Sequence, residues 1–355
     1  MTDFLDQLAR HIRDAAAGKR ALCIRGGGSK DFYGNASAGE PLDVAPDRGI
    51  VDFEPTELVV TARCGTPLAE LEATLADKGQ LLPFEPPHFG PSATLGGCIA
   101  AGLSGPRRAT AGAVRDFVLG VRILDGNGDD LRFGGQVMKN VAGFDVSRLM
   151  TGSLGTLGVI LEVSLKVLPV PVAEATLHLQ MDEAAAIRTF NAWAGKPLPV
   201  SAAAWRAGEV RVRLSGARAA VDAALRKLGG ERVEPAAAAA FWSGLREQTD
   251  PFFTQNEVPL WRLSLPSATP SMALPGAQFI EWGGAQRWLK SDAPAAAIRS
   301  AAAAAGGHAT LFRGADKFAG AFQPLAPGLL AIHRKLKQTF DPAGIFNRGR
   351  LYPHF

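Results

Sequence analysis

The segment RGGGSK at residues 25–30 follows directly after a short apolar run, residues 21–24, that is typical of a β-strand. A strand that ends in consecutive glycines presents several backbone N–H groups in one direction, and such a loop binds anions. The Ser29 hydroxyl adds a donor, and Arg25 and Lys30 add positive charge. The segment fits neither the P-loop nor the GxGxxG pattern. It predicts a phosphate or pyrophosphate site, with a flexible surface loop as the alternative.

Glycine-marked segments recur through the first half of the chain, where 24 of the 40 glycines precede residue 160. They are SATLGGCIAAGLSG at 92–105, ATAGAVRD at 109–116 and GSLGTLGVI at 152–160. Small residues are almost unbroken in the first of these. Such a stretch can lie flat against an extended ligand while its amides hydrogen-bond to that ligand, and a tight helix–sheet contact is the alternative. The first half is therefore predicted to hold the ligand.

The composition excludes several other classes of protein. The formal charge of +4 is compatible with an anionic ligand, but no long run of Lys or Arg is present to follow a nucleic-acid backbone. The three cysteines, Cys23, Cys64 and Cys98, have no CxxC spacing, so the chain lacks the ligands of an iron–sulfur or zinc site. We therefore expect neither nucleic acid nor a metal.

The N-terminal segment MTDFLDQLARHI carries acidic residues where a secretory signal requires positive charge followed by an apolar run. No stretch has the apolar length of a transmembrane helix. These two features predict a cytoplasmic location.

Periodicity predicts several elements of the first half. Thr66 is the expected N-cap of a helix that has Pro67 at its first position and ends near Gly79. Residues 118–124 and 131–133 alternate around DGNG, which is typical of a β-hairpin.

After Pro171 the glycine-marked segments disappear and alanine becomes more frequent. Strands and helices are predicted here in the order βαββαβ up to residue 232, followed by a weaker second copy of that order between residues 261 and 312. A helix is predicted at 329–340, and the segment FDPAGIFNRGR follows at 340–350.

Taken together, these segments resemble flavoproteins of the vanillyl-alcohol oxidase / p-cresol methylhydroxylase (PCMH) type. Within that group the chain is similar to the FAD-binding subunits of bacterial glycolate oxidases. The resemblance covers nearly the whole chain and is weakest at 172–306. The segments that carry it are RGGGSKDFYG (25–34), ATLGGCIAAGLSGPRR (93–108), RDFVLGVRILDGNG (115–128), KNVAGFDVSRLMTGSLGTLG (139–158) and FDPAGIFNRGR (340–350).

The resemblance implies an α+β fold in three parts. Residues 1–171 would form a PCMH-type FAD-binding domain with two subdomains, at about 1–62 and 63–171. Residues 172–320 would form a ferredoxin-like α+β cap domain with an antiparallel sheet. Residues 321–355 would return to the FAD-binding domain.

The resemblance also implies the residues that hold FAD. The pyrophosphate would lie at the loop of residues 26–30, and the remaining residues would line or flank the cofactor, with the last two near the isoalloxazine edge. The full set is Gly26, Gly27, Gly28, Ser29, Lys30, Thr94, Leu95, Gly96, Gly97, Ser104, Gly112, Ile160, Asn347 and Arg350.

One departure from the family concerns the attachment of FAD. Many relatives attach it covalently through a histidine just after the glycine loop, where this chain has Ser29 and Lys30. None of the six histidines lies in the first or second glycine-marked segment. We therefore expect non-covalent FAD.

The other departure concerns catalysis, which for a 2-hydroxy acid requires a cation for the carboxylate and a base for the hydroxyl proton. Related dehydrogenases place metal-binding histidines in the cap, but this chain has no His-x-x-His. His308 and Arg313 are candidates for catalysis, and Arg262 and Arg313 are candidates for binding a carboxylate. A lone strand histidine is more often structural and arginines are often only solvated, so no catalytic residue and no metal ligand is assigned.

The function that the resemblance implies is oxidation of glycolate to glyoxylate within a complex, in which this chain would either carry out the hydride transfer itself or only relay electrons. The chain would act there with a second FAD subunit and an iron–sulfur subunit, and any contact with a membrane would be made through those partners. Two alternatives remain at this point. One is a structural or assembly subunit whose FAD does not turn over, and the other is a stand-alone FAD-dependent 2-hydroxy-acid dehydrogenase.

Overall fold

The computed structural model describes residues 2–135, 145–254, 258–314, 317 and 319–353. The first six residues of the segment 139–158, which carries part of the family resemblance, lie outside the described residues. The N-terminal domain contains, in chain order, α1 (Thr2–Ala17), β1 (Leu22–Arg25), β2 (Glu40–Asp43), β3 (Ile50–Glu54), β4 (Val59–Arg63), α2 (Leu68–Ala76), β5 (Gln80–Leu81), α3 (Leu95–Ala101), α4 (Arg108–Ala111), α5 (Val114–Phe117), β6 (Val118–Leu124), β7 (Asp130–Gly134), α6 (Val146–Met150), β8 (Val159–Lys166) and β9 (Leu168–Pro169).

Two main sheets organise this domain. Strand β1 pairs in parallel with β2, and a five-stranded antiparallel sheet has the order β3-β4-β8-β6-β7. Helices α2 and α3 lie beside the larger sheet because their apolar residues recur on one face. Leu68, Leu71 and Leu75 of α2 are fully buried there. The sheet and these helices enclose the main hydrophobic core of the domain.

The structure differs from two of the expectations. Helix α2 has Pro67, not Thr66, at its N-cap and no side-chain cap. The Thr66 hydroxyl instead accepts a hydrogen bond from the Gly49 N–H at 2.8 Å, so this side chain secures a neighbouring turn. Strand β3 precedes the subdomain boundary expected near residue 62 and β4 spans it, but both belong to the five-stranded sheet because β4 pairs with β3 and β8. The predicted hairpin of β6 and β7 is confirmed.

The cap domain follows after residue 171 and is built on one eight-stranded sheet. Its elements are β10 (Ala173–Gln180), α7 (Glu183–Ala194), β11 (Val200–Arg206), β12 (Glu209–Gly216), α8 (Arg218–Leu228), β13 (Glu231–Arg232), α9 (Pro235–Glu247), α10 (Pro251–Thr254), β14 (Leu260–Ser264), β15 (Ala277–Glu281), a short 3₁₀ helix (Trp282–Gly284), β16 (Gln286–Lys290), α11 (Ala295–Ala304) and β17 (His308–Arg313).

The cap sheet has the order β13-β10-β12-β11-β15-β16-β14-β17 and is antiparallel throughout. Its first four strands and their two helices form the predicted βαββαβ unit, so the ferredoxin-like cap is confirmed. The second half repeats the strand order but has no helix between β14 and β15, which are joined by a described loop. The two halves meet where β11 pairs with β15.

The chain then returns to the N-terminal domain. Helix α12 (Pro327–Phe340) is followed by a tail in which Phe346 forms a parallel bridge with Leu22 of β1. The buried Lys337 ammonium holds this tail by donating to the Asp341 carboxylate at 2.6 Å and to the Phe346 carbonyl at 2.8 Å. These contacts hold the tail against the N-terminal domain.

The cap is fastened to the N-terminal domain by a buried ion-pair network. Arg213 of β12, whose side chain is 5% exposed, lies 2.8 Å from the Glu85 carboxylate. The Arg107 guanidinium also contacts Glu85 through Nε, and its Nη2 lies 3.0 Å from the Glu174 carboxylate of the cap. The Trp282 indole N–H donates to the Gly105 carbonyl at 3.0 Å. These contacts give the two domains a fixed interface.

Candidate functional site

The loop that follows β1 forms one wall of a cavity of about 350 Å³. Volumes of this order are usual for small-molecule and cofactor sites. The other walls come from the segment that begins helix α3, from the glycine-rich turn before β8 and from the C-terminal tail. The lining residues are Cys23, Ile24, Arg25, Gly26, Gly27, Gly28, Ser29, Lys30, Asp31, Ala36, Ser37, Val44, Thr94, Gly96, Gly97, Ala100, Ala101, Leu154, Gly155, Gly158, Ile160, Asn347 and Arg350.

The backbone N–H groups of residues 26–30 have no hydrogen-bond partner in the part of the chain that the structure describes. None of the five donates a hydrogen bond to any residue that the structure describes, whereas the next amide, that of Asp31, donates to the Gly28 carbonyl. Unpaired main-chain donors beside a cavity require a ligand or water. Five in succession form an anion site of the kind that binds phosphate oxygens.

Close packing against residues 92–94 makes glycine necessary in this loop. A Cβ on Gly27 would lie 1.4 Å from the Ser92 carbonyl oxygen, which is far inside van der Waals contact. The Ser92 hydroxyl also donates to the Gly27 carbonyl at 2.6 Å. The two segments therefore form one rigid wall, and a side chain at Gly27 would separate them.

The amides at the start of α3 are used differently from what the sequence predicts. The N–H groups of Leu95, Gly96 and Gly97 donate to the Thr66 carbonyl, the Cys64 carbonyl and the Thr94 hydroxyl, respectively. Thr94 is thus the N-cap of α3. The expectation that these amides bind the ligand is wrong for these three, because capping and the contact with β4 already use them. The segment contributes its small, flat surface instead.

Positive charge lines the cavity next to the unpaired amides. The Lys30 ammonium donates to the His88 carbonyl at 3.1 Å, and the Lys30 side chain is almost entirely buried. Burial lowers the pKa of Lys30, although the attraction of Glu247 opposes this shift. Arg25 pairs with Asp31 at 2.6 Å on the exposed side of the loop. A bound diphosphate would place negative charge next to the Lys30 ammonium.

The C-terminal tail completes the cavity, although it follows the glycine loop by more than 300 residues in the sequence. The Asn347 carboxamide accepts from the Ile24 N–H at 2.7 Å and donates to the Leu154 carbonyl at 2.6 Å, so it joins β1 to the glycine-rich turn. The Arg350 guanidinium donates to the Asn35 and Lys30 carbonyls at 2.9 and 3.2 Å. Both side chains therefore position the walls.

We expect Asn347→Ala to weaken FAD binding at least ~5-fold, because it leaves a buried N–H and a buried carbonyl unpaired at about 1–3 kcal/mol each. Asn347 also has a left-handed backbone, φ 40°, which alanine adopts poorly. Titration of the apoprotein with FAD, followed by flavin fluorescence, measures the change. Asn127→Ala, in an exposed turn, is the control. Unchanged affinity in the first variant would show that Asn347 does not shape the site.

Of the fourteen residues expected to hold FAD, eleven line this one cavity and three do not. Leu95 is fully buried in the hydrophobic core. Ser104 accepts a hydrogen bond from the Val114 N–H at 3.2 Å and lies at a second cavity, between the domains. Gly112 ends helix α4 with φ 117°. Their proposed contacts with FAD remain predictions.

The catalytic candidates all lie on the cap sheet. Arg262 donates to the Tyr33 hydroxyl at 3.1 Å, and Arg313 lies over the Phe32 ring at 4.4 Å. His308 begins β17 and is exposed. Among the described residues, no group of three or more His, Cys, Asp or Glu could hold a metal ion. Sequence reasoning missed Glu281, a buried carboxyl on β15 with no periodicity or motif that would have marked it.

Comparison with known proteins agrees with this geometry. The model of the FAD binding domain family matches residues 5–134. The chain is 50% identical over 350 residues to glycolate oxidase subunit GlcE of Escherichia coli (strain K12), which covers 99% of this chain and 98% of that protein. Glycolate oxidase subunit GlcD of Bacillus subtilis (strain 168) is 33% identical over 154 residues, 43% of this chain and 33% of that one.

The structural comparison extends to a more distant protein. The structure of an alkyldihydroxyacetonephosphate synthase superimposes with a TM-score of 0.67 at 17% identity, over 96% of this chain and 75% of that one. At this identity the likeness shows the fold alone. The two proteins therefore share the overall fold of the chain.

The fold, the cavity and the family match together define an FAD-binding flavoprotein of the oxidoreductase class. The expectation of FAD as the cofactor is confirmed by the match to the FAD binding domain family. With half of its residues identical over almost the full length of both chains, the chain belongs to the family of glycolate oxidase subunit GlcE.

Proposed function

We propose that the chain is the FAD-binding subunit of a glycolate oxidase complex that oxidises glycolate to glyoxylate. The single observation that supports this most strongly is the 50% identity to GlcE along nearly the entire chain. The cavity supports the cofactor half of the proposal, since five unpaired amides and a buried ammonium suit a diphosphate. Bound FAD supplies the acceptor for a hydride.

The protein's own residues have separate parts in holding this cofactor. The amides of residues 26–30 bind the diphosphate, and Lys30 balances its charge. Gly96 and Gly97 provide a flat wall, and Asn347 keeps the opposite walls at a fixed separation.

We also propose that FAD is bound without a covalent link. The described residues that line the cavity include no histidine. Ser29 and Lys30 occupy the positions after the glycine loop where many relatives carry the attached histidine.

Acid precipitation tests the attachment. We expect the purified protein to absorb near the flavin bands and to release all of its yellow colour into the supernatant, because only hydrogen bonds and packing hold the cofactor. Colour that stays in the pellet would establish a covalent link, and a colourless native protein that does not take up added FAD would refute the cofactor site.

We further propose that the chain works in the cytoplasm with a second FAD subunit and an iron–sulfur subunit. The relatives named GlcE and GlcD are both called subunits of glycolate oxidase, which supports a multi-subunit assembly. In the described part of the chain no helix is long and apolar enough to cross a membrane.

Co-purification with affinity-tagged chain, followed by glycolate-dependent dye reduction, tests the assembly. We expect the tagged chain to recover a second flavoprotein and an iron–sulfur protein, and the recovered complex to reduce the dye. Dye reduction by the chain alone would indicate a stand-alone dehydrogenase. A complex whose bound FAD in this chain is never reduced would indicate a structural subunit.

A further inference from the structure

A second, much smaller cavity lies between the N-terminal domain and the cap, and we call it the interdomain cavity. It measures about 20 Å³, room for one or two water molecules as it stands. One wall is the segment of residues 103–106, and the opposite wall is the face of the cap sheet made by β14, β15 and β16. The lining residues are Pro87, Phe89, Leu103, Ser104, Gly105, Pro106, Leu245, Arg246, Gln248, Arg262, Glu281, Gln286, Trp288 and Phe312.

The interdomain cavity adjoins the proposed FAD cavity. Ala101 lines the FAD cavity and Leu103 lines the interdomain cavity, and residues two apart in a chain are at most ~7 Å from each other. Lys30 gives a second connection, because its ammonium is 5.7 Å from the centre of the Phe89 ring, which lines the interdomain cavity. A small molecule in the interdomain cavity would therefore lie close to the wall of the proposed FAD cavity.

Polar groups with unfilled hydrogen-bonding capacity line this cavity. The side-chain oxygen of Gln248 is buried, and it accepts no hydrogen bond from any residue that the structure describes. Gln248 itself is only 5% exposed. A buried amide oxygen without a donor costs about 1–3 kcal/mol, so a water or a bound molecule in the cavity has to supply the donor.

Arg262 contributes a positive charge without an acidic partner. Its guanidinium donates to the Tyr33 hydroxyl and lies 5.6–5.7 Å from the centres of the Tyr33 and Phe312 rings. Within the described ranges, no carboxylate lies at ion-pair distance from it. A guanidinium with a planar set of donors is the group that best binds a carboxylate.

Glu281 contributes a proton acceptor. One of its carboxyl oxygens accepts from the Trp288 indole N–H at 2.7 Å and from the Gln286 carboxamide at 2.5 Å. The side chain is almost fully buried, and the groups that act on it are Trp288 and Gln286 of β16, Arg262 of β14 and, with opposite sign, Glu85 of the N-terminal domain. Burial raises the pKa of Glu281 to about 7.

We infer that the interdomain cavity binds the smallest 2-hydroxy acids, with Arg262 holding the carboxylate, Gln248 accepting from the hydroxyl or a bridging water, and Glu281 taking the hydroxyl proton. This inference rests on the proposed function. The substrate O–H bond breaks toward the Glu281 carboxylate, and the C–H bond yields a hydride to FAD. The carbon–oxygen bond becomes a carbonyl, so two electrons and two protons are accounted for.

The small volume makes the site selective for size. Glycolate is already larger than the cavity of about 20 Å³, so lining side chains must move to admit it, and the additional methyl group of lactate requires a larger displacement. We expect the affinity for lactate to be at least ~10-fold lower than that for glycolate, the discrimination usual for one methyl group in a tight pocket.

The test uses the FAD-loaded chain and the assembled complex. Glycolate is titrated against the flavin difference spectrum, and the rate of flavin bleaching is followed from pH 5.5 to 9. We expect Arg262→Met to raise the glycolate Kd at least ~10-fold, because it removes a charge-assisted pair. We expect Glu281→Gln to bind glycolate nearly as well as the wild type and to be reduced at least ~100-fold more slowly.

The pH profile separates a proton acceptor from a structural carboxyl. The active form of Glu281 is the ionised one, so the wild-type bleaching rate should rise as the pH passes through about 7 and then level off. The Gln variant should show no such rise. Glu209→Gln and Arg211→Met, on cap strand β12 and outside the cavity, are the matched controls and should behave as the wild type.

Two results would overturn the inference. The first is that the complex oxidises glycolate while both cavity variants bind and react as the wild type does, which would leave the proposed function intact and move the substrate site elsewhere. The second is that the complex never oxidises glycolate, which would refute the proposed function as well. The retained flavin spectrum of each variant shows that its fold and cofactor site survive.

Discussion

Gly27→Ala will abolish FAD binding. The added methyl group would lie 1.4 Å from the Ser92 carbonyl oxygen, so the loop of residues 26–30 has to move away from residues 92–94. That movement displaces the unpaired amides that we propose to bind the diphosphate. Loss of even two charge-assisted hydrogen bonds at about 1.5–3 kcal/mol each raises the Kd for FAD at least ~100-fold. We expect a colourless protein on purification and no saturation at micromolar FAD.

The control for this prediction is Gly328→Ala, near the start of α12, where a Cβ meets no atom within 4 Å. This substitution should leave FAD binding unchanged. Circular dichroism of both variants shows whether the secondary structure is retained. A folded Gly27→Ala variant that binds FAD as tightly as the wild type would exclude this loop as the diphosphate site.

Of the substitutions proposed here, Arg213→Met will lower the free energy of unfolding the most. Among the described residues, the change leaves the Glu85 carboxylate at the domain interface with Arg107 as its one cationic partner. Removing one partner of a buried ion pair costs about 3 kcal/mol or more, because the remaining charge stays desolvated. In urea denaturation, this loss of stability will appear as a lower midpoint concentration of urea. Arg211→Met, on the same strand with a more exposed side chain, should cost less than about 1 kcal/mol.

The double variant Glu85→Gln/Arg213→Met should recover part of the lost stability, since no unpaired charge then remains. If the single and double variants were equally unstable, packing rather than charge would explain the effect.

Acid sensitivity gives an independent readout of the same pair. Burial by itself would raise the pKa of Glu85, but the pairs with Arg213 and Arg107 outweigh it, and the pKa is held below its usual value of 4.5. A carboxyl with a lowered folded-state pKa adds stability that is fully present above the unfolded value and is lost as the pH falls through the folded one. We expect the wild type to lose stability below about pH 4.5 more steeply than Arg213→Met does.

Local chemistry was sufficient to predict the part of the site that is contiguous in sequence. Consecutive glycines after an apolar strand predict an anion loop because the φ and amide geometry of glycine act within a few residues. The hairpin of β6 and β7 and the βαββαβ half of the cap follow from periodicity and turn residues in the same way.

Contacts between distant segments could not be predicted from such patterns. Asn347 reaches Ile24 across 323 residues, and only resemblance to a family marked it in advance. The amides of residues 95–97 were misjudged because a nearby hydroxyl and two carbonyls compete for them, and those acceptors come together only in the folded chain. In the sequence, Glu281 is an ordinary acidic residue at the end of a strand. Only the folded sheet brings Arg262 of β14 and Trp288 of β16 next to it.

The return of the tail to β1 has a consequence for biosynthesis. Residues 26–30 leave the ribosome early, but the cavity that they line lacks a wall until Asn347 and Arg350 have been translated. Cofactor loading must therefore wait until translation has passed residue 350, by which time the cap has also been made. A chain stalled before that point would lack one wall of the flavin site, and a supply of free FAD would not rescue it.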